Sequence, residues 1–363
     1  MTRQVSAGPR SIVFLGSAHD NGGTSILASG LAEAMRAQGH HVEEWYLFGS
    51  RGDLPAGARI FEAGPRSRSP RVLLRLFYHL VVALRRHKPD VLFGLQPVSN
   101  ILVGVAGRVA RVPHRIATYH GPRDWVKPLF VAIDTFINAL GFYTQMIACA
   151  NGVAQSFGRK DIAVVVNGQS VPQSFSQSEA RAALGLPADG FLLGQLGRLS
   201  HQKNQSFTLE VLQQLPEASL VLVGIGPEED EIKSQIKMSG LEHRVRIIPS
   251  IKHDRIGLFF SAVDLVLFPS RYEGLSLAAI EAIHAGVPPL CSDIPSFQEM
   301  FDGSPVLSSE LMLPTSDPSA WLRRIRDLLK DKTLYRQIVG ELSRLSPSYR
   351  FEMMAQKYLR LLD

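Results

Sequence analysis

Cysteine is scarce in this chain of 363 residues, and the two present, Cys149 and Cys291, cannot build a disulfide framework. No cysteine and histidine cluster has zinc spacing, so no metal site is expected. The scarcity favours a reducing compartment, and the cytoplasm is the expected location. The opening MTRQVSAGPR lacks the apolar centre of a secretory leader, and the run after it, Ser11–Gly16, is short enough to read as a strand. No apolar run has the length to span a bilayer. The nearest, Leu129–Phe142, carries Asp134 and Asn138 and reads as a buried helix. Short internal repeats and low-complexity tracts are lacking too.

What is present is an ordinary globular composition, 45% hydrophobic and 20% charged, in a chain long enough for two domains. Charge is uneven. Residues 1–170 hold 19 Lys/Arg against 10 Asp/Glu, a net +9, while the remainder holds 20 against 23, a net −3. A basic half suggests an anionic partner such as a membrane surface or lipid phosphate, the alternative being a basic surface with no partner at all. Nucleic acid is not expected, since no DNA- or RNA-binding signature accompanies the charge. Arg66, Arg68, Arg71, Arg75, Arg85, Arg86 and Lys88 cluster around one helix whose other face carries Leu73, Leu76, Phe77, Leu80 and Leu84. Weak peripheral contact with an anionic membrane is therefore expected, although packing of the helix into its domain explains the leucines equally well.

Short apolar runs alternate with helical patterns. Strands are expected at Ser11–Gly16, His41–Phe48, Asp90–Leu95, His114–His120, Met146–Ala150 and Ile162–Asn167. Helices are expected near Thr24–Gln38, Ser69–His87, Asn100–Arg111 and Trp125–Tyr143. After the polar stretch Asn167–Glu179 the rhythm restarts, with strands at Phe191–Leu196, Ser219–Gly224, Arg244–Ile248, Leu265–Phe268 and Pro289–Ser292. The expected architecture is α/β: two doubly wound, Rossmann-like domains facing a central cleft. The expected division is residues 1–168, residues 169–348 and a last helix in 349–363.

Chemistry concentrates in Phe268-Pro-Ser-Arg-Tyr-Glu-Gly-Leu-Ser-Leu-Ala-Ala-Ile-Glu281, where a strand ends, a loop follows and a helix opens near Leu275. Free N–H groups at a helix start attract an anion, and Gly274 lets backbone approach it. Glu273 stands before that end and Glu281 about two turns inside. Two carboxylates flanking an anion site suit a phosphate with hydroxyl-rich groups on both sides, namely sugar, diphosphate and ribose. Gly224-Ile-Gly226-Pro is different. Glu228, Glu229 and Asp230 fill the next helical turn with negative charge, so Gly224 and Gly226 are expected to shape a wall near a nucleotide base.

Glu273-x7-Glu281 resembles the signature of the family 4 retaining glycosyltransferases, which have the GT-B fold. The likeness extends to Gly197-Arg-Leu-Ser-His-Gln-Lys-Asn204, Val223-Gly-Ile-Gly-Pro227 and Gly286-Val-Pro288, and more loosely to Asn21-Gly-Gly-Thr24, Tyr119-His-Gly121 and Asn167-Gly168. Ser276 and Leu275 depart from the commoner residues of that motif, which bears on the donor sugar. The resemblance implies that Arg198 and Lys203 grip the donor diphosphate. Two fixed cations in a loop before a helix agree with that role. It further implies that Glu281 binds ribose, that Glu273 meets the donor sugar, and that the Gly274, Leu275 and Ser276 amides hold its oxygens.

The Gly16–Thr24 loop is neither a dinucleotide fingerprint nor a phosphate loop of the Walker type. Gly22 and Gly23 are expected to cap the diphosphate, the alternative being a plain tight turn. His120 is expected to project from its strand end toward the sugar. The implied reaction moves a sugar from a UDP- or GDP-sugar to a hydroxyl of a glycan, glycolipid or lipid-linked acceptor, with configuration retained. No cofactor beyond that co-substrate is expected, and no metal, because no Asp-x-Asp pair is present. The last helix is expected to cross back onto the first domain, as in similar proteins. The rivals are a hydrolase or epimerase of the same fold, a non-catalytic nucleotide-sugar-binding module, and a Rossmann oxidoreductase. The oxidoreductase needs an acid at the end of the second strand, but Glu43 and Glu44 lie near its start.

Overall fold

The computed structural model describes residues 8–18, 23–49, 58–64 and 69–362. The chain forms two compact units, Met1–Gly168 with Phe351–Asp363, and Gln169–Arg350.

The first unit is built on β1 (Ser11–Ala18), β2 (His41–Gly49), β3 (Arg59–Ala63), β4 (Val91–Gly94), β5 (His114–Tyr119), β6 (Gln145–Ala148) and β7 (Ile162–Val164). All six pairings are parallel, in the order β3-β2-β1-β4-β5-β6-β7. Ile12, Val13, Phe14 and Leu15 of β1 are buried, as a strand covered on both faces requires. The sequence reading omits β3. It is an edge strand of mixed polarity, held by its register against β2 and by the Arg59 guanidinium 5.0 Å from the Trp45 ring centroid. The long helix expected at Trp125–Tyr143 is broken. Arg123–Trp125 make a 3-10 turn, and Pro128 starts a separate helix, Pro128–Ala139, at its first position, where a missing N–H costs nothing.

Helix Phe351–Arg360 belongs to the first unit and seats its Phe351 ring on Gly30, where a Cβ would lie 2.2 Å from the ring. Its Tyr358 packs edge-on to Phe93 of β4 at 5.4 Å. Glu44, the acid weighed for a ribose, is buried and holds the hydroxyls of Ser29 and Tyr46 at 2.7 and 3.0 Å. It is a core residue.

The second unit repeats the plan with β8 (Phe191–Leu196), β9 (Ala218–Val223), β10 (Val245–Ile248), β11 (Leu265–Phe268), β12 (Pro289–Ser292) and β13 (Met312–Leu313), ordered β10-β9-β8-β11-β12-β13 and wholly parallel. Its chain order reverses between β8 and β11, which pair directly. The loops leaving their carboxyl ends, 197–204 and 269–276, therefore open on the topological switch point, where doubly wound sheets bind ligands.

Candidate functional site

Loop 197–204 ends at Asn204, whose backbone adopts the left-handed conformation at φ 56°. Its side chain does the tying. The Asn204 amide donates to the Pro269 carbonyl at 3.1 Å, and its oxygen accepts from Arg271 Nη2 at 3.1 Å, so both switch-point loops are bound to one residue. Gln195 donates to the Lys203 carbonyl at 2.7 Å, and Gln205 donates to the Arg198 carbonyl at 3.0 Å. The backbone of this loop is thereby held from below, and the Arg198 side chain is exposed above it.

Lys203 and Glu273 meet. Lys203 Nζ lies 2.5 Å from Glu273 Oε1, with the two side chains only 15% and 6% exposed. Glu273 also accepts from the Ser270 hydroxyl at 2.8 Å and from Gln202 Nε2 at 3.2 Å. The sequence reading assigned these two charges to different parts of a ligand; the structure pairs them with each other. Lysine has three donor hydrogens, so one bond to Glu273 leaves two for an incoming anion.

The following helix runs Leu277–Ala285, two residues later than expected. Leu275 and Ser276 thus belong to the loop with Gly274, and Glu281 lies about one turn inside the helix rather than two. No acid occupies the first turn, so its N–H groups and positive dipole end are uncompensated there. The Ser276 hydroxyl is buried without a hydrogen-bond partner.

Glu281 is buried, its side chain 8% exposed, and has no hydrogen bond to any described residue. Burial pushes its carboxyl up to about 8. His253 Nδ1 approaches at 3.6 Å, and burial lowers that imidazole, so near neutral pH the two face each other uncharged. An unpartnered buried carboxyl is costly, and such groups collect at binding sites.

Gly224 and Gly226 hold the neighbouring loop tight. A Cβ on Gly224 would lie 2.1 Å from the Gly197 carbonyl oxygen, and one on Gly226 2.0 Å from that of Leu199. The Leu199 amide bonds the Ile225 carbonyl at 3.1 Å. Both glycines therefore press the 224–227 loop against the loop that bears Arg198. The helix after them, Glu229–Met238, opens on Glu229, Asp230 and Glu231, which neutralise its own dipole.

In the first unit, His120 follows β5. Thr118 donates its hydroxyl to the Gly94 carbonyl at 2.6 Å, so it accepts from His120 Nε2 at 2.9 Å. Nδ1 is then the acceptor nitrogen, buried beside the Asn167 side chain, and neither it nor Asn167 Oδ1 completes a hydrogen bond of good geometry. Burial drives His120 down to about 4, against a smaller opposing effect of Asn167. The ring is neutral in the working range and can accept a hydroxyl proton donor. Gly23 starts helix Gly23–Ala37, whose first turn also lacks acids; Gly22 lies outside the described residues.

Among the described residues no three His, Cys, Asp or Glu side chains cluster as metal ligands, and no helix is long and apolar enough to cross a membrane. Four groups have no role in the sequence reading: Ser270, Gln202 and His253, which touch the glutamates, and Asn204, which ties the loops. Only Asn204 had a readable signal, an asparagine at a helix start, where the left-handed conformation suits it.

Residues 21–169 match the model of Glycosyltransferase Family 4, and residues 176–341 that of Glycosyl transferases group 1. The lipopolysaccharide core biosynthesis mannosyltransferase LpsB of Rhizobium meliloti is 28% identical over 192 residues, 50% of this chain and 54% of that protein. The chain thus spans about half the length of that relative. The lipopolysaccharide core biosynthesis glycosyltransferase LpsD of the same organism is 26% identical over 329 residues, 86% of each chain. Anabaena Alr3699/HepE, solved in complex with UDP and glucose, superposes with a TM-score of 0.82 at 20% identity, covering 97% of this chain and 99% of that one. That likeness identifies the architecture as GT-B. With both halves matched in their expected order, the chain belongs to the family 4 glycosyltransferases.

Proposed function

We propose that the protein transfers a sugar from a nucleoside-diphosphate sugar to an acceptor hydroxyl, with retention and without a metal ion, in bacterial polysaccharide, lipopolysaccharide or glycolipid assembly. One observation carries this reading. A buried, unpartnered carboxyl, Glu281, sits one turn inside the helix whose free N-terminal end adjoins the Lys203–Glu273 pair. A buried carboxyl open to hydroxyls beside cations with donors to spare for phosphate is the pattern of a ribosyl diphosphate site. Glu281 accepts from the ribose, which replaces the hydrogen bonds that burial removed. Arg198, the spare donors of Lys203 and the helix N–H groups stabilise the departing diphosphate, whose charge grows in the transition state.

Glu273 keeps Lys203 aimed and presents carboxylate charge toward the sugar. No residue pair here forms an obvious nucleophile and acid, so the acceptor proton passes to the departing phosphate on the same face. In the first unit, His120 Nδ1 accepts from a substrate hydroxyl. The names of LpsB and LpsD support the assembly context, and the UDP and glucose bound to Alr3699/HepE support the donor class. The experiment is a thermal-shift screen of UDP-, GDP- and ADP-sugars, followed by proton NMR of fresh product. A product of opposite anomeric configuration to the donor overturns the mechanism, and activity abolished by EDTA and restored by manganese overturns metal independence.

A further inference from the structure

Glu281 and His253 reach each other from different elements of the second unit. Glu281 lies one turn inside helix Leu277–Ala285, while His253 opens the 3-10 turn His253–Arg255 in the loop that leaves β10. That turn is stiff. The Arg255 amide donates to the Lys252 carbonyl at 2.8 Å, and the Ile256 amide to the His253 carbonyl at 3.2 Å. Gly257 follows directly, and a Cβ there would lie 1.8 Å from the Gln173 carbonyl oxygen, so the turn ends with backbone pressed on backbone. The fold therefore fixes where the imidazole stands.

His253 Nδ1 and Glu281 Oε1 stand 3.6 Å apart, too far for a hydrogen bond between them. A single hydroxyl oxygen, at about 2.8 Å from each, closes that interval. Among the described residues Glu281 has no other polar partner, so both oxygens of its carboxyl have acceptor capacity to spare. Two adjacent hydroxyls fit such a group better than one. The histidine side chain is 39% exposed and the glutamate 8%, which gives a ligand access from the imidazole side. The charge acting on His253 is that of exposed Asp254, next in the chain, and it opposes the larger effect of burial.

We infer that His253 and Glu281 together grip the two vicinal hydroxyls of the donor's ribose, so that the protein takes ribonucleoside diphosphate sugars and rejects deoxythymidine diphosphate sugars, which lack one of them. The inference rests on the donor reading above and narrows its substrate class. One hydroxyl bridges the pair: it accepts from the Nδ1–H of a neutral imidazole and donates to Glu281 Oε1. Its neighbour donates to the second carboxyl oxygen. A deoxynucleotide leaves one of these buried acceptors unpaired, and a site built to bond a hydroxyl rejects the analogue without it far more strongly than an apolar site rejects a wrong shape.

Titration calorimetry with UDP, 2′-deoxy-UDP and 3′-deoxy-UDP tests it, with the GDP series run in parallel. Wild type is expected to bind each deoxy analogue about 10–100-fold more weakly than the parent nucleotide. In His253→Phe, affinity for the parent is expected to fall about tenfold, while the analogue that lacks the bridging hydroxyl loses nothing further. His253→Asn keeps an amide group near the place of Nδ1 and is expected to restore most of the preference. His253→Gln, whose amide matches the other ring nitrogen, is not. Equal affinity of wild type for the parent and both deoxy analogues overturns the grip and leaves the donor reading standing. A preference that His253→Phe retains in full removes His253 from the grip and overturns the inference. Failure of wild type to bind either UDP or GDP overturns the donor reading and the inference together.

Discussion

At the scale of single residues, charges at the switch point compensate one another until a ligand arrives. Lys203 is already bonded to Glu273, and Arg198 stands exposed above a loop fastened from below. In the proposed donor site, removing either cation would leave diphosphate charge uncompensated, and R198A and K203A are each expected to lose about 2–4 kcal/mol of transition-state stabilisation, read from kcat/KM. K203A carries a further cost, because it strands Glu273 in a buried place. Glu273→Gln does the opposite for nucleotide: it frees Lys203 from its counter-charge, so turnover falls while UDP affinity does not.

Glu281 gives a pH signature. Its carboxyl is raised from 4.5 to about 8 by burial, so between those values the folded protein keeps a proton that the unfolded chain has lost. Stability from this group therefore declines as pH rises from 4.5 to 8 and is level above. Glu281→Gln removes the slope: denaturant titrations should show the variant gaining on wild type with pH, by about 1 kcal/mol or more at pH 8. Ribose hydroxyls favour the ionised form, so UDP binding near pH 7 should release a proton. Calorimetry in buffers of different ionisation enthalpy measures it, and the release should vanish in Glu281→Gln.

At the scale of elements, strands and long helices were legible because continuous apolar runs and helical periodicity report burial directly. Boundaries suffered where single residues set them. Pro128 splits what reads as one helix, and the switch-point helix begins at Leu277 because the backbone of Leu275 and Ser276 is still in the loop. The partners of the site residues were not legible. Ser270 and Gln202 bond Glu273 through loop geometry that carries no periodic signal, and His253 reaches Glu281 from a different loop. The glycines of the 224–227 loop were legible as special but not for their reason, which is contact with another backbone. Gly226→Ala would put a methyl 2.0 Å from the Leu199 carbonyl oxygen, and neither backbone can yield cheaply. An unfolding loss of about 2–3 kcal/mol is expected, with weaker UDP binding because the displaced loop is the one that carries Arg198.

At the scale of the molecule, the plan of two parallel sheets was legible from the restart of strand and helix alternation. The surface was legible only in its charge. Of the leucines read on the other face of the basic helix, for which packing into the domain was the alternative account, Leu76, Leu80 and Leu84 are buried against Val13, Leu15 and Trp45, whereas Leu73 stays 45% exposed beside Leu74 at 71%. Arg66 and Arg68 lie outside the described residues. Helix Pro70–His87 thus offers anionic lipid exposed cations, Arg71, Arg75, Arg85 and Arg86 with Lys88 at its cap, beside the exposed apolar side chains Leu73, Leu74 and Tyr78. Of these, Arg75 is already paired with Glu62 at 2.6 Å, which lowers its share. Each free cation near an anionic surface adds about 1 kcal/mol of attraction, screened within roughly 8–10 Å at physiological salt. Vesicle sedimentation should then show binding to anionic liposomes at low salt that fades by half-molar salt and is absent with neutral lipid. Replacing Arg85, Arg86 and Lys88 with serine should abolish most of it. Equal pelleting with neutral and anionic vesicles would refute the electrostatic account.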